Sequence, residues 1–466
     1  MKNFPFFFLA CGRAAGRALR SSALRSAVGC ALLAFAAVSA SAQIAPKVIR
    51  TKISGLDVII YPTGVQDVVT IKGSLPAGDA MAGDGNLAVP TLCGMLLDQG
   101  TTKQDKFAIA EKLENVGATI DFSVGTQTVE LSAKCLKQDL PLVIGLIAEQ
   151  LRTPAFSAEE FAKAQAQYAG SLQRQLENTD FRAGDAFTRA VYPLGHPNRQ
   201  PDTGELLAAV KSAKLDDVKA FHAKYYGPAH FTLVLVGDVD VPVIQREATA
   251  AFAGWTGGTD VIHPARATST DAPKEQSVYM ADKTSVSVII GQASGLRYSD
   301  PDYQAMRTAT AILGSGFTGR LMANVRDKEG LTYGIGSRLA NDAESDGDWR
   351  ISATFAPALL EKGITSTRNQ LTKWYHDGVT DKELADRKTN LVGSFKVGLA
   401  TTDGMAGSLL IAVQRGLDVT WLDEYPKKIE SLTTAEVNAA IKQHLKPETM
   451  FLIQAGTVPG ATPTTQ

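Results

Sequence analysis

The sequence predicts an α+β fold made of two homologous domains, each a mainly antiparallel sheet covered by helices. Strand-like hairpins alternate with amphipathic helical runs from residue 48 onward. The second half repeats a helix, a proline turn and a strand of the first half at an offset of 219 residues. Residues 255–275, rich in Gly, Pro, Thr and Asp, lack apolar periodicity and separate the halves. We therefore predict domains at residues 43–254 and 276–460, a linker at 255–275 and a tail at 461–466.

The repeat places residues 215–239 on residues 434–458. Six of these 25 positions carry identical residues, and the apolar periodicity is the same in both copies. The identical pairs are Val218 and Val437, Ala220 and Ala439, Pro228 and Pro447, Leu233 and Leu452, Gly237 and Gly456, and Val239 and Val458. So many identities in one frame indicate duplicated domains.

The elements of the first half follow from turn residues and periodicity. Strands are expected at residues 48–74 and 118–135 and a buried strand at 231–236, with helices at 86–98, 103–115, 140–151, 157–178 and 216–226. In the second of these helices, Phe107, Ala110 and Leu113 should face inward because they are three residues apart. Ser157, followed three residues later by Glu160, has the pattern of a capping box at a helix start.

Residues 1–42 have the features of a secretory signal peptide. They contain five basic residues and no acidic one, followed by an apolar run at 27–38 and the small-residue cleavage site Ala40-Ser41-Ala42. We expect cleavage after Ala42 and a periplasmic or otherwise exported protein. The apolar run is too short for a membrane anchor. A lipoprotein signal at Cys11 or Cys30 is an alternative, but the residues before each cysteine fit it poorly.

Composition excludes several classes of function. The 466 residues are 44% hydrophobic and 20% charged, as in an ordinary globular protein. Cleavage after Ala42 removes five positive charges and changes the net charge from −1 to −6, so no nucleic-acid partner is expected. No later stretch is long and apolar enough for a stable membrane span. Cys93 and Cys135 remain, and the sequence leaves open a disulfide or two buried thiols.

The most informative stretch is residues 313–337, LGSGFTGRLMANVRDKEGLTYGIGS. It begins with a glycine-rich bend, after which Phe317, Leu321 and Val325 recur at spacings of four and predict one buried helix face. Gly330 should end this helix, because glycine tolerates positive φ. A strand should follow directly.

Arg326 then lies at the end of a helix and Tyr333 at the start of a strand, where both could point at one carbonyl oxygen. The pattern R-x6-Y inside GLTY-G-x-x-S, behind LG-x-GF-x-x-RL, resembles the insulinase/pitrilysin family of zinc peptidases, which includes the mitochondrial processing peptidase. The resemblance implies half of a clamshell, in which this pair contacts the substrate main chain opposite the zinc. In the alternative, structural interpretation, Arg326 pairs with Asp327 or Glu329 and Tyr333 packs in the sheet.

The zinc motif H-x-x-E-H is missing where the resemblance places it. Pro90, Cys93 and Gly94 stand at its three chemical positions. Two histidines at i and i+4 bind zinc and the glutamate between them is the general base, whereas proline and glycine have no ligand atom. The third ligand, a glutamate in the family, would fall within residues 168–172, but residues 161–176 contain no acid. We therefore expect this chain to bind no zinc and no other cofactor.

The remaining metal-binding and nucleophilic residues offer no substitute. The six histidines are scattered and are each expected at the surface or at a helix cap: His196, His222, His230, His263, His376 and His444. Cys93 has no histidine near it in sequence, and a thiol in the middle of a helix usually belongs to the core.

These features predict the non-catalytic, substrate-binding subunit of a heterodimeric periplasmic zinc metallopeptidase. A homologous partner would carry the zinc on H-x-x-E-H, and this chain would supply Arg326 and Tyr333 to a peptide substrate. Three alternatives stay open. The chain could be an active hydrolase with another site, a stand-alone peptide-binding or chaperone-like homodimer, or a structural core subunit of a larger complex.

Overall fold

The computed structural model describes residues 43–267, 270, 272 and 274–461. The predicted signal peptide and tail residues 462–466 lie outside this range. Two sheets covered by helices form the framework, which confirms the α+β class. In the part of the chain that is described, no helix has both the length and the apolar character that a membrane span requires.

The first half contributes six strands and eight α-helices to the described structure. In chain order they are β1 (Ile49–Ile53), β2 (Leu56–Pro62), β3 (Val68–Leu75), α1 (Val89–Met95), α2 (Lys106–Glu114), β4 (Thr119–Val124), β5 (Val129–Leu136), α3 (Leu140–Arg152), α4 (Ala158–Leu176), α5 (Thr179–Val191), α6 (Thr203–Ser212), α7 (Leu215–Tyr225), β6 (Thr232–Gly237) and α8 (Val241–Ala251). Between α8 and the next strand, the described residues form no helix or strand.

The second half begins at that next strand. Its elements are β7 (Glu275–Tyr279), β8 (Val286–Ala293), α9 (Tyr303–Gly314), a π-helix (Met322–Lys328), β9 (Thr332–Ala340), β10 (Asp348–Phe355), α10 (Leu360–Asp377), α11 (Asp381–Gly398), α12 (Thr402–Gln414), α13 (Trp421–Ser431), α14 (Thr434–His444) and β11 (Phe451–Gly456). The domain boundaries proposed at residues 254 and 275 remain a prediction.

Both sheets are mixed and mainly antiparallel. The first has the strand order β1-β2-β6-β3-β5-β4 and the second β7-β11-β8-β10-β9. The pairs β2–β6 and β7–β11 are parallel, and the other neighbours are antiparallel. Without β1, the two sheets have the same topology. The helix α14 and strand β11 begin and end 219 residues after α7 and β6, which confirms the duplication.

Two repeated glycines close equivalent strands for the same steric reason. Gly237 ends β6 with φ of 147° and Gly456 ends β11 with φ of 142°. A Cβ atom at Gly237 would lie 2.0 Å from the carbonyl oxygen of Val68, and one at Gly456 would lie 2.7 Å from that of Ser285. Both positions therefore require glycine.

The two halves exchange one helix each. Helix α5 packs on β8 and β11 of the second sheet, where Phe187 is fully buried. Helix α12 packs in return on β3 and β6 of the first sheet, where Leu409 is fully buried. The hydroxyls of Thr70 on β3 and Thr402 at the start of α12 are 2.8 Å apart and buried. Each sheet thus has a face covered by a helix from the opposite half of the sequence.

Local predictions on the surface helices were partly right. Ser157 caps α4 by accepting a hydrogen bond from the Glu160 amide. The expected inward face of α2 is only partly right: Leu113 packs against the core, but Phe107 is 75% exposed and Ala110 is exposed. Ile109, four residues before Leu113, is the buried residue of this helix.

Candidate functional site

The segment before Arg326 folds differently from the predicted regular helix. Leu321 and Val325 are fully buried as expected, but Phe317 is 73% exposed. Phe317 lies in a turn closed by a hydrogen bond from the Gly319 amide to the Gly316 carbonyl, so it precedes the helix and does not share its apolar face. The helix that follows is a π-helix. Such i→i+5 turns are rare and occur frequently at functional sites.

The end of this helix and the start of β9 match the sequence prediction. Gly330 has φ of 64°, and its amide donates to the Arg326 carbonyl at 2.9 Å. The Leu331 amide donates to the Val325 carbonyl at 3.0 Å. This reversal brings the end of the π-helix beside the beginning of β9.

A β-bulge turns Tyr333 away from the sheet. Thr332 pairs with Phe355 and Ile335 pairs with Ala353, so β9 has one extra residue between these pairs. Without that residue, Tyr333 would share the buried face of Ile335, because side chains alternate along a strand. With it, Tyr333 is 89% exposed. The packing interpretation of Tyr333 is therefore wrong.

The side chain of Thr332 stabilises the bulge. Its Oγ1 accepts from the Gly334 amide at 3.1 Å and lies 3.0 Å from the Gly334 carbonyl oxygen. It also donates to the Thr354 carbonyl on β10 at 2.6 Å. Bulges frequently re-aim a side chain beside a functional site, and this one presents Tyr333 at the surface.

Arg326 lies between two exposed aromatic rings. Its guanidinium carbon is 5.5 Å from the ring centre of Phe317 and 5.5 Å from that of Tyr333. Both distances suit a cation–π interaction. Its ion pair is with the adjacent Asp327 at 2.9 Å, as the structural interpretation also predicted. We call these three side chains the Phe317–Arg326–Tyr333 stack.

Arg320, six residues before Arg326, is a useful comparison because its guanidinium is engaged in structural contacts. Arg320 donates to both carboxylate oxygens of Glu383, at 2.6 and 2.7 Å, and to the Gly378 carbonyl at 2.8 Å. This bidentate pair lowers the pKa of Glu383 to about 2. Arg326 lacks such a bidentate partner among the described residues and keeps donors available for a ligand.

The residues at the zinc-motif positions of α1 are packed in the core. Pro90, Cys93 and Gly94 lie on α1 and are buried. A Cβ atom at Gly94 would lie 2.2 Å from a methyl carbon of Val124, so a histidine would not fit without movement. Burial raises the pKa of the Cys93 thiol to about 12, and the hydrogen bond with the Tyr226 phenol opposes this only in part, so the thiol is a poor nucleophile or metal ligand.

At the position of the third zinc ligand, a tyrosine stands in place of the glutamate. Tyr168 lies there, facing Asp79 and Thr91, and its pKa is raised to about 12 by burial and by Asp79. The residues present therefore do not fit a zinc ion. Across the described ranges, no group of three His, Cys, Asp or Glu side chains is placed to bind a metal.

The remaining sequence candidates also have structural explanations. Cys93 and Cys135 are free, buried thiols and do not form a disulfide with each other. His196 was expected at the surface but its side chain is 2% exposed, with Nε2 3.5 Å from Asp346. His222 is partly buried and bonds to the Leu151 carbonyl oxygen at 2.8 Å.

The fold and the site together describe a peptidase-like protein with a duplicated α+β unit and a zinc helix without its ligands. Family models agree: residues 61–199 match the insulinase model (peptidase family M16), and residues 212–391 match the peptidase M16 inactive domain. The chain belongs to the insulinase (M16) family.

Individual relatives differ in what their names state. The chain is 23% identical over 375 residues to a Helicobacter pylori protein named non-peptidase homolog YmxG, covering 79% of this chain and 84% of that one. It is 25% identical over 367 residues to an uncharacterized zinc protease of Streptomyces coelicolor, covering 75% and 76%. The crystal structure of a peptidase M16 inactive domain from Pseudomonas fluorescens superposes with a TM-score of 0.81 at 24% identity, covering 89% of this chain and 99% of that one.

Proposed function

We propose that this chain is the non-catalytic, peptide-binding subunit of a heterodimeric zinc metallopeptidase, whose homologous partner carries the zinc. The observation that carries the proposal is the contrast between two sites. Arg326 and Tyr333 are presented at the surface by a bulge and a stack, while Pro90, Cys93 and Gly94 leave α1 without ligands. A relative named as a non-peptidase homologue supports the non-catalytic part of this assignment.

The chemistry of the stack suits a peptide main chain. A guanidinium has five N–H donors and a tyrosine has one O–H donor, so both can hydrogen-bond to one carbonyl oxygen. Donors already positioned around that oxygen stabilise the charge that develops on it during hydrolysis. The proposal includes export to the periplasm, for which the basic and apolar pattern of residues 1–42 is the support.

Reconstitution tests the division of labour. The chain is purified alone, and a family member that carries H-x-x-E-H and is encoded beside it is purified separately. Hydrolysis of unfolded peptides is then measured for each subunit and for the mixture. We expect no cleavage by this chain, cleavage by the mixture, and loss of that cleavage with a chelator.

Two results would overturn the proposal. Chelator-sensitive hydrolysis by this chain alone would make it an active peptidase. Full activity of the partner without this chain, with no complex on gel filtration, would favour the inert structural alternative.

A further inference from the structure

A cavity of about 610 Å³ lies beside the degenerate zinc helix. Its wall is formed by residues 79–87 before α1, by Tyr168 of α4, by the segment from Arg189 of α5 to Leu206 of α6, and by Thr126 and Ile262. The Phe317–Arg326–Tyr333 stack does not line it. We call it the acidic cavity because of the charges described below.

Asp79 is the carboxylate on its inner wall. One oxygen accepts a hydrogen bond from the Thr91 hydroxyl at 2.7 Å, and the side chain remains partly accessible from the cavity. The titratable groups facing it are the phenols of Tyr168 and Tyr226 and, beyond Tyr226, the thiol of Cys93. Within the described structure no lysine or arginine forms an ion pair with Asp79. Burial raises the pKa of Asp79 to about 6, and the Thr91 hydrogen bond opposes this only in part.

The basic side chains of the cavity are already engaged elsewhere. Arg189 pairs with Asp185 at 2.6 Å and lies 3.5 Å from Asp202. Arg199 donates to the Tyr192 carbonyl at 2.7 Å and to the main-chain carbonyl of Arg189. Both guanidiniums therefore have partners other than Asp79; those of Arg199 are carbonyl oxygens, and the charge of Arg199 acts on Glu205. His196 also lines the cavity, with Nε2 3.5 Å from Asp346.

The acidic side chains of the cavity outnumber them. Among the described residues, Asp79, Asp84 and Glu205 line the cavity and form no ion pair within 4.0 Å, while Asp202 lies near Arg189. A buried carboxylate without a counter-ion is costly, because burial disfavours its charged form. The cavity thus combines open space with more carboxylates than guanidiniums, and Asp79 has no ion pair among the described residues.

An apolar rim adjoins this charge. Leu194 is 87% exposed at the cavity, and Leu87 and Leu206 also line it. Lysine and arginine combine a charged head with an aliphatic stem that packs on such surfaces. The exposed Leu194 beside the carboxylates therefore favours a basic side chain over a simple ion as the ligand of the cavity.

We propose that the acidic cavity binds a cationic group of a peptide, either a basic side chain or the N-terminal ammonium, with Asp79 as its counter-ion. The site would give this chain a preference among peptides. It does not depend on a zinc-bearing partner, because every residue that forms it belongs to this chain.

The test uses the purified chain alone and three labelled peptides of equal length, followed by fluorescence anisotropy. The first peptide is N-acetylated with one internal lysine, the second is N-acetylated with glutamine in its place, and the third has that glutamine and a free N-terminus. We expect the first or the third to bind on the order of 10-fold more tightly than the second. Which one does so separates the side chain from the terminal ammonium as the source of the charge. The preference should fall as pH is lowered through about 6, where Asp79 becomes protonated.

Asp79→Asn keeps the size of the side chain and removes its charge, so it should abolish the preference. Asp216→Asn is the matched control, because Asp216 is 94% exposed and its ion pair with Lys219 is as long as 4.0 Å. Equal binding of all three peptides to the unmodified chain would overturn the inference without any variant. An undiminished preference in Asp79→Asn would overturn it as well. The measurement uses this chain without a partner, so failure of the proposed heterodimer and failure of this site are distinguishable.

Discussion

The guanidinium carbon of Arg326 lies 5.5 Å from the centre of the Tyr333 ring, although Tyr333 belongs to a strand whose regular alternation would bury it. The tight turn at Gly330 brings the two residues together, and the bulge turns the ring outward. Surface clusters of arginine and aromatic residues have the composition of binding hot spots. Their exposure here supports the proposal that the pair binds a peptide.

The hydroxyl of Tyr333 should matter for turnover and not for folding. Tyr333→Phe removes one donor and keeps an exposed ring, so the melting temperature should not change. In the reconstituted complex we expect kcat/KM to fall on the order of 10²-fold, which corresponds to about 3 kcal/mol. Arg326→Ala should cost at least as much. Full activity of Tyr333→Phe with an intact partner would rule out this hydroxyl as a substrate ligand.

Phe317 should act by positioning Arg326. Phe317→Ala removes one of the two rings beside the guanidinium, a contact that contributes about 0.5–1 kcal/mol at exposed sites. We expect kcat/KM of the complex to fall about 2- to 5-fold through a higher KM. Phe107→Ala is the matched control, because Phe107 is equally exposed and has Lys106 5.6 Å from its ring centre. Equal effects of the two substitutions would contradict a specific role for Phe317.

The bulge gives a separate test through Thr332. Thr332→Val keeps the shape but loses the hydroxyl contacts with Gly334 and Thr354. The free energy of unfolding should drop by about 1–2 kcal/mol. The value of kcat/KM should fall by more than the loss of folded protein explains, because the bulge no longer holds Tyr333 in position. Thr332→Ser restores the hydroxyl and should restore activity. If valine lowers the melting temperature and leaves kcat/KM intact, the bulge has a structural role only.

The duplicated fold could be predicted because its signals are local and repeated. The turn at Pro228, the glycine at Gly237 and the helix before them recur at an offset of 219 residues, and each has a steric or periodic cause. The placement of Arg326 beside Tyr333 could also be predicted, since the glycine stop and the following strand lie in one short stretch.

The features that the sequence did not predict depend on distant partners. Nothing in the periodicity of α5 or α12 indicates which sheet it covers, so the helix exchange appears only in the structure. The exposure of Phe317 depends on where the π-helix begins, and that of Tyr333 on one extra residue relative to β10. The burial of Asp79 was not predicted because Tyr168, which faces it, lies on α4, far along the chain.

The purified chain should hold no stoichiometric zinc after dialysis, as measured by elemental analysis. Grafting the motif with Pro90→His, Cys93→Glu and Gly94→His should not create a site, because residue 94 would clash with Val124. We expect the graft to lose about 1–3 kcal/mol of stability by overpacking. Adding Val124→Ala should recover part of that loss. One tightly bound zinc per unmodified chain would contradict the packing argument.

Asp79 should reduce the stability of the protein at neutral pH. Its folded pKa of about 6 lies above the ordinary value of 3.8, so the native state binds the proton more tightly than the unfolded state does. The free energy of unfolding therefore decreases as pH rises from about 4 to about 6, and the full penalty, at most about 3 kcal/mol, is present above that range.

Asp79→Asn has no charge to bury and still accepts a hydrogen bond from Thr91. Its urea midpoint should exceed that of the unmodified chain at pH 7.5 and approach it near pH 4, while Asp216→Asn shows no such change. A lower midpoint for Asp79→Asn at pH 7.5 would mean that the carboxylate is already neutralised within the chain, and the acidic cavity would then have no charge to offer a ligand.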